Sequence, residues 1–131
     1  MANIPADLKY TKTHEWVRVE GDVVTSGVTD FAQKELSDIV YVEVTALGAK
    51  VKREEPIGTI EAVKAVTDLF AAVSGEVVAA NDSLKTEAQK CNQDPYGEGW
   101  IVRIKVSDAG ELDSLLDAQG YAELVARSEH H

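Results

Sequence analysis

Lys64 is the residue through which this chain can do covalent chemistry. It sits in Ile60-Glu61-Ala62-Val63-Lys64-Ala65-Val66, with Gly58 before it and Ser74-Gly75-Glu76-Val77 after it. A lysine amine becomes a good nucleophile once it has lost its proton, so an enzyme that holds the turn can join it to an activated acid as an amide. Acylation removes the charge and leaves the side chain as the root of a long flexible arm. Such an arm moves a reactive group between active sites while the protein supplies recognition. A solvated lysine in a hairpin turn is the ordinary case. Here Val63 and Ala65 carry no charge and little bulk, so a modifying enzyme can approach. Lys64 also lies midway between two strand signals, where a tight turn would expose its amine. Gly75 then allows the chain to pack closely beneath its neighbours. These features predict a carrier, with no catalytic residues of its own.

The elements that must position Lys64 are short strands. Polar and apolar residues alternate over 15–20, Gly21-Asp22 makes a turn, and 23–28 returns. Thr29 or Asp30 can cap a short helix through Leu36, with Phe31, Ala32 and Leu36 on its apolar face. β-Branched and aromatic residues dominate 38–44, the clearest strand. Strands follow at 57–62, 66–71 and 76–80, then a polar stretch over 81–90 with a helical turn, then an ordered loop over 94–100. The last strand spans 100–106. Ser107 or Asp108 can cap a helix carrying Leu112, Leu115 and Leu116, and a second helix after Gly120 uses Tyr121, Leu124 and Val125. The sum is a mainly β fold, a small barrel or sandwich with appended helices. Residues 1–127 read as one domain, and 128–131, ending His130-His131, as a tag remnant.

Bulk properties exclude several classes. With 13 basic against 23 acidic residues the net charge is −10, which would repel a phosphate backbone, so nucleic acid is not expected as a partner. Charges interrupt every apolar stretch short of a bilayer's thickness, and no signal or transit pattern opens the chain, so a soluble intracellular protein is expected. The single cysteine, Cys91, cannot form an internal disulfide and reads as incidental in a polar loop. No metal-ligand cluster, paired catalytic constellation or nucleotide fingerprint is present, and the glycines of 94–100 lack the features of a phosphate loop.

The lysine pattern alone leaves lipoyl carriers, biotinyl carriers and an unmodified interaction module open. The whole chain narrows this. Leu8-Lys9-Tyr10, His14-Glu15-Trp16-Val17, Gly27-Val28-Thr29-Asp30-Phe31-Ala32-Gln33, Glu61-Ala62-Val63-Lys64-Ala65, Ser74-Gly75-Glu76-Val77 and Asn92-Gln93-Asp94-Pro95-Tyr96-Gly97-Glu98-Gly99-Trp100 occur in this order. Together, from about Ile4 to about Val125, they closely resemble the H proteins of the glycine cleavage system. The blocks around Asp30 and Tyr96 are not features of biotin carriers. Two small departures are Ala62, where serine is common, and Ala72, where proline is common.

The resemblance implies a flattened β-barrel, or barrel-sandwich hybrid, with short helices including a C-terminal one. It implies one covalent lipoate, on Lys64. The implied partners are a pyridoxal-phosphate glycine decarboxylase, a tetrahydrofolate-dependent aminomethyltransferase, dihydrolipoyl dehydrogenase and a lipoate-attaching enzyme. The location would be cytoplasmic in a bacterium, or the mitochondrial matrix for a processed eukaryotic chain. Relaying lipoyl groups to 2-oxoacid dehydrogenases is an alternative use of the same lysine. A cationic aminomethyl cargo needs an acidic partner and partial exclusion of water. Glu15, beside Trp16, and Asp68, four residues past Lys64, are the candidates. Glu61, three residues before Lys64, is a recognition mark for the attaching enzyme. His14 reads as structural or surface, and Trp16, Tyr41, Phe70 and Trp100 as core.

Overall fold

A computed structural model describes residues 2–129, so His130 and His131 lie outside the described residues. In chain order the elements are β1 (Lys9–Tyr10), β2 (Glu15–Glu20), β3 (Val23–Val28), α1 (Asp30–Leu36), β4 (Ile39–Val44), β5 (Lys50–Val51), β6 (Pro56–Ala62), β7 (Val66–Phe70), β8 (Gly75–Ala80), α2 (Lys90–Gln93), β9 (Val102–Val106) and α3 (Ala118–Glu129). Two 3₁₀ turns, Asp82–Lys85 and Ala109–Ser114, lie between them. The strands make two antiparallel sheets, β1-β2-β3-β9-β8-β5 and β4-β6-β7.

The sheets close on one apolar core without joining into a single barrel. The larger sheet contributes Val17, Val24, Val77, Val102 and Ile104, and the smaller one Ile39, Val42, Ile57, Ile60 and Leu69, all nearly water-free. Two sheets whose inner faces interdigitate in this way form a barrel-sandwich, the architecture expected. Gly75 allows the close approach foreseen for it: a Cβ there would overlap the Lys105 carbonyl of β9. A second cluster, built on Leu8, Tyr10, Trp16, Phe31, Tyr121 and Val125, seats α3 against the start of the chain.

Thr29 caps α1 by accepting a hydrogen bond from the Ala32 N–H at 3.2 Å. The sequence blocks around Asp30 and Tyr96 meet through one hydroxyl. The Tyr96 phenol accepts from the Asp30 N–H at 2.9 Å and donates to the Asn3 carbonyl at 2.6 Å. Trp16 Nε1 donates to the Pro95 carbonyl at 2.8 Å, fixing the 94–100 loop over β2.

Several expectations are corrected. Tyr41 is exposed, because a bulge between Ile39 and Tyr41 sends both Val40 and Tyr41 outward while Ile39 and Val42 point in. Phe70 and Trp100 are half-buried, and only Trp16 of the four aromatic side chains is fully core. Cys91 is not in a polar loop; it is fully buried in α2, and burial pushes its thiol up to about 12. The helix expected after residue 107 is a 3₁₀ segment capped by Asp108, which accepts from the Gly110 N–H. The last helix begins before Gly120, with the Asp117 carboxylate accepting the Gly120 N–H at 2.8 Å. That helix runs to Glu129, and the Ser128 hydroxyl donates to the Leu124 carbonyl at 3.0 Å. No helix among the described residues is long and apolar enough to cross a membrane.

Candidate functional site

The β6–β7 hairpin carries Lys64 at its tip. β6 and β7 pair down to Glu61 and Val66, and the Ala62 N–H donates to the Ala65 carbonyl at 2.8 Å, so Val63 and Lys64 are the two central turn residues. Neither adopts a positive φ. The Val63 N–H donates to the Asp38 carbonyl at 3.0 Å, which ties the turn to the chain entering β4. Val63, Lys64 and Ala65 are all exposed. The lysine is therefore held at a fixed point of a rigid sheet with its amine in water. Covalent attachment of an acyl arm needs those two conditions, and the turn meets both.

Beside the hairpin, a cleft of about 260 Å³ opens between the 11–15 loop, α1 and the free edge of β7. Its walls include Thr13, His14, Glu15, Phe31, Asp68 and Phe70. At about 3.3 Å per strand residue, Thr67 in the cleft wall lies roughly 10 Å along the chain from Lys64. Glu15 and Asp68, singled out separately in the sequence, thus line one cavity. Glu61 does not: it is exposed on the outer face of the smaller sheet, between Tyr41 of β4 and Val66 of β7.

Glu15 is 2% exposed. The Thr11 hydroxyl donates to its Oε1 at 2.7 Å, the Thr13 hydroxyl donates to the same oxygen, and the Phe70 backbone adds a further hydrogen bond. Those donors favour the carboxylate, but burial outweighs them and lifts the carboxyl to about 7. Asp68 is exposed at the rim. The cleft thus pairs an acid kept from water with one open to it.

His14 is more than a surface residue. Its backbone is left-handed, φ 71°, and its imidazole lies against Phe31, 4.9 Å between ring centroids. His14 Nδ1 lies 2.8 Å from the Tyr121 hydroxyl, which lies 2.7 Å from the Thr29 hydroxyl. Proton counting orients this chain. Thr29 Oγ1 is buried and already accepts from Ala32, so its own proton needs an acceptor. Tyr121 oxygen is the acceptor within reach. Tyr121 must then donate to His14 Nδ1, which fixes a neutral imidazole with its proton on Nε2. Burial lowers the His14 pKa, against a smaller opposing pull from Glu35, in agreement with that neutral form. One hydroxyl on α3 therefore holds both walls of the cleft, the 11–15 loop and α1. Sequence reasoning assigned Tyr121 only to an apolar helix face; its pairing with Tyr10, stacked at 4.7 Å, and with His14 is a contact across more than 100 residues.

Among the described residues, no group of three His, Cys, Asp or Glu side chains stands where it could hold a metal ion. The glycine cleavage H-protein family model matches residues 8–128. The glycine cleavage system H protein of Rubrobacter xylanophilus is 51% identical over 129 residues, covering 98% of this chain and 100% of that one. That of Chlorobium phaeobacteroides is 54% identical over 125 residues, covering 94% and 98%. The crystal structure of the H protein from Mycobacterium marinum superposes with a TM-score of 0.83 at 36% identity, over 92% of this chain and 97% of that one.

Proposed function

The chain belongs to the glycine cleavage H-protein family, whose members are carriers and not catalysts, and we propose that Lys64 is its lipoyl acceptor. The observation that carries this reading is the exposed two-residue turn, in which Lys64 stands alone as a cation on a rigid hairpin. A lipoyl group amide-linked there would supply a disulfide/dithiol couple able to take up the aminomethyl fragment left by glycine decarboxylation, to give its carbon to a tetrahydrofolate-dependent aminomethyltransferase with loss of ammonia, and to be returned from dithiol to disulfide by dihydrolipoyl dehydrogenase. Its similarity to H proteins of bacteria supports placing this work in the cytoplasm.

The chain's own residues would govern what happens to the cargo between partners. Glu15 rests near neutrality, so a cation arriving in the cleft draws it to the charged form and gains a buried counter-ion. The Thr11 and Thr13 hydroxyls hold that carboxylate in one orientation. Asp68 stands at the mouth and adds attraction for a positive charge. Phe31 and Phe70 narrow the water in the cleft. Glu61, off the cleft but one rung below the turn, serves recognition by the attaching enzyme.

A reconstituted glycine cleavage reaction tests this. Wild-type protein, incubated with lipoate, ATP and a lipoate-protein ligase, supports glycine-dependent carbon dioxide release, and Lys64→Arg supports none. Glu15→Gln and Asp68→Asn take up the lipoyl group normally but hold the aminomethyl group for a shorter time. Equal turnover by Lys64→Arg would refute the acceptor assignment, and unchanged retention in both acid variants would refute the sheltering roles.

A further inference from the structure

Seven large apolar side chains are exposed among the described residues, and four of them, Val40, Tyr41, Val63 and Val66, stand around the Lys64 turn. Singly exposed apolar residues are normal on a protein surface, but a cluster placed at one point marks a contact surface. The register shows how the cluster forms. Tyr41 and Val66 flank Glu61 in one cross-strand row, the bulge puts Val40 beside Tyr41, and Val63 is half of the turn itself. Val63 is 74% and Val66 65% exposed, so neither contributes to the core. The smaller sheet has no reason of stability to present them.

The charges around this collar are one-sided. Segments 38–44 and 56–70 hold Asp38, Glu43, Glu61 and Asp68 against a single cation, Lys64. All four acids are exposed. An acylating enzyme meets this surface with Lys64 still charged, as an apolar patch whose surround carries four acids against that one cation. A complementary partner has an apolar centre and a basic rim.

Reach selects the occupant. Lysine Nζ stands roughly 6 Å from its Cα, five bonds of about 1.5 Å each. An enzyme that acylates that nitrogen must close its own surface over the turn and the residues beside it. Enzymes acting at the far end of a long arm are under no such constraint. We propose that Val40, Tyr41, Val63 and Val66 form the docking collar for the enzyme that acylates Lys64, which binds through an apolar, basic-rimmed face. This rests on the reading of Lys64 as the acylated residue.

The test compares wild type with the triple variant Tyr41→Ser, Val63→Ser, Val66→Ser, using lipoate, ATP and a lipoate-protein ligase at several salt concentrations. Circular dichroism and thermal unfolding confirm the fold. The expected result is a kcat/KM for acylation at least 10-fold below wild type, carried mainly by KM, with wild-type acylation itself falling as salt rises. Protein driven to full loading by long incubation then turns over in the reconstituted glycine reaction within twofold of wild type. Acylation of the triple variant within twofold of wild type would overturn the collar. An equal loss in acylation and in turnover of loaded protein would also overturn it, by making the surface common to all partners. Wild-type loading in the same run separates these outcomes from failure of Lys64 as acceptor, since then wild type would not load at all.

Discussion

Glu15 should make this protein less stable as the solution becomes less acidic, and the size of the effect follows from its surroundings. Its carboxyl is lifted from an ordinary 4.5 to about 7, chiefly by burial. Between those values the folded state holds a proton that the unfolded chain has released, so stability falls with rising pH. At 1.36 kcal/mol for each pH unit between them, full ionisation costs the fold about 3 kcal/mol. About 2 to 3 kcal/mol of that lies between pH 5 and pH 8. Glu15→Gln removes the ionisation but keeps an acceptor oxygen for the Thr11 and Thr13 hydroxyls, which can rotate to meet the amide. Urea unfolding of both proteins at pH 5, 6, 7 and 8 measures the difference. Glu15→Gln is expected to gain on wild type steadily from pH 5 and to level off above about pH 8. Parallel stability curves across that range would mean that the carboxyl is not held protonated by burial, and the proposed response to a cation would go with it.

Tyr121→Phe strands the buried Thr29 hydroxyl and removes the donor to His14, so it is predicted to cost about 1–3 kcal/mol in urea unfolding. The same variant should shift the His14 ring nitrogens away from the pure Nε2–H pattern in ¹⁵N NMR, which a packing defect elsewhere would not do. Cys91 is predicted to resist thiol reagents in the folded protein at pH 8 and to label fully in denaturant, because its thiol is both inaccessible and held un-ionised. Rapid labelling of native protein would contradict its place in the core.

The elements that present Lys64 were legible because each carries a local signal. Alternation over 15–20, the Gly21-Asp22 turn that returns the chain over 23–28, the Thr29 cap and the paired strands about Val63-Lys64 are all statements about residues within a few positions of one another. What escaped has non-local or very short causes. Two-residue strands such as Lys9–Tyr10 and Lys50–Val51 are too brief to show a period. The exposure of Tyr41 depends on a bulge that shifts register by one residue, which composition does not reveal. Cys91 looked solvated because its neighbours are polar, yet it belongs to the main apolar core together with Leu84 and Ala88. Glu15 and Asp68 were singled out by chemistry, since a cationic cargo asks for acids, and the two line one cleft. The Thr29–Tyr121–His14 chain was not, because it joins three distant segments through side-chain hydroxyls.

Every role proposed for the hairpin and the cleft depends on acylation of Lys64. Intact mass followed by peptide mapping, before and after incubation with lipoate, ATP and a lipoate-protein ligase, tests it most directly. A single lipoyl addition on the peptide containing Lys64, absent from Lys64→Arg, is the predicted result. No addition under conditions that modify an established acceptor, or an addition that maps to another lysine, would contradict it.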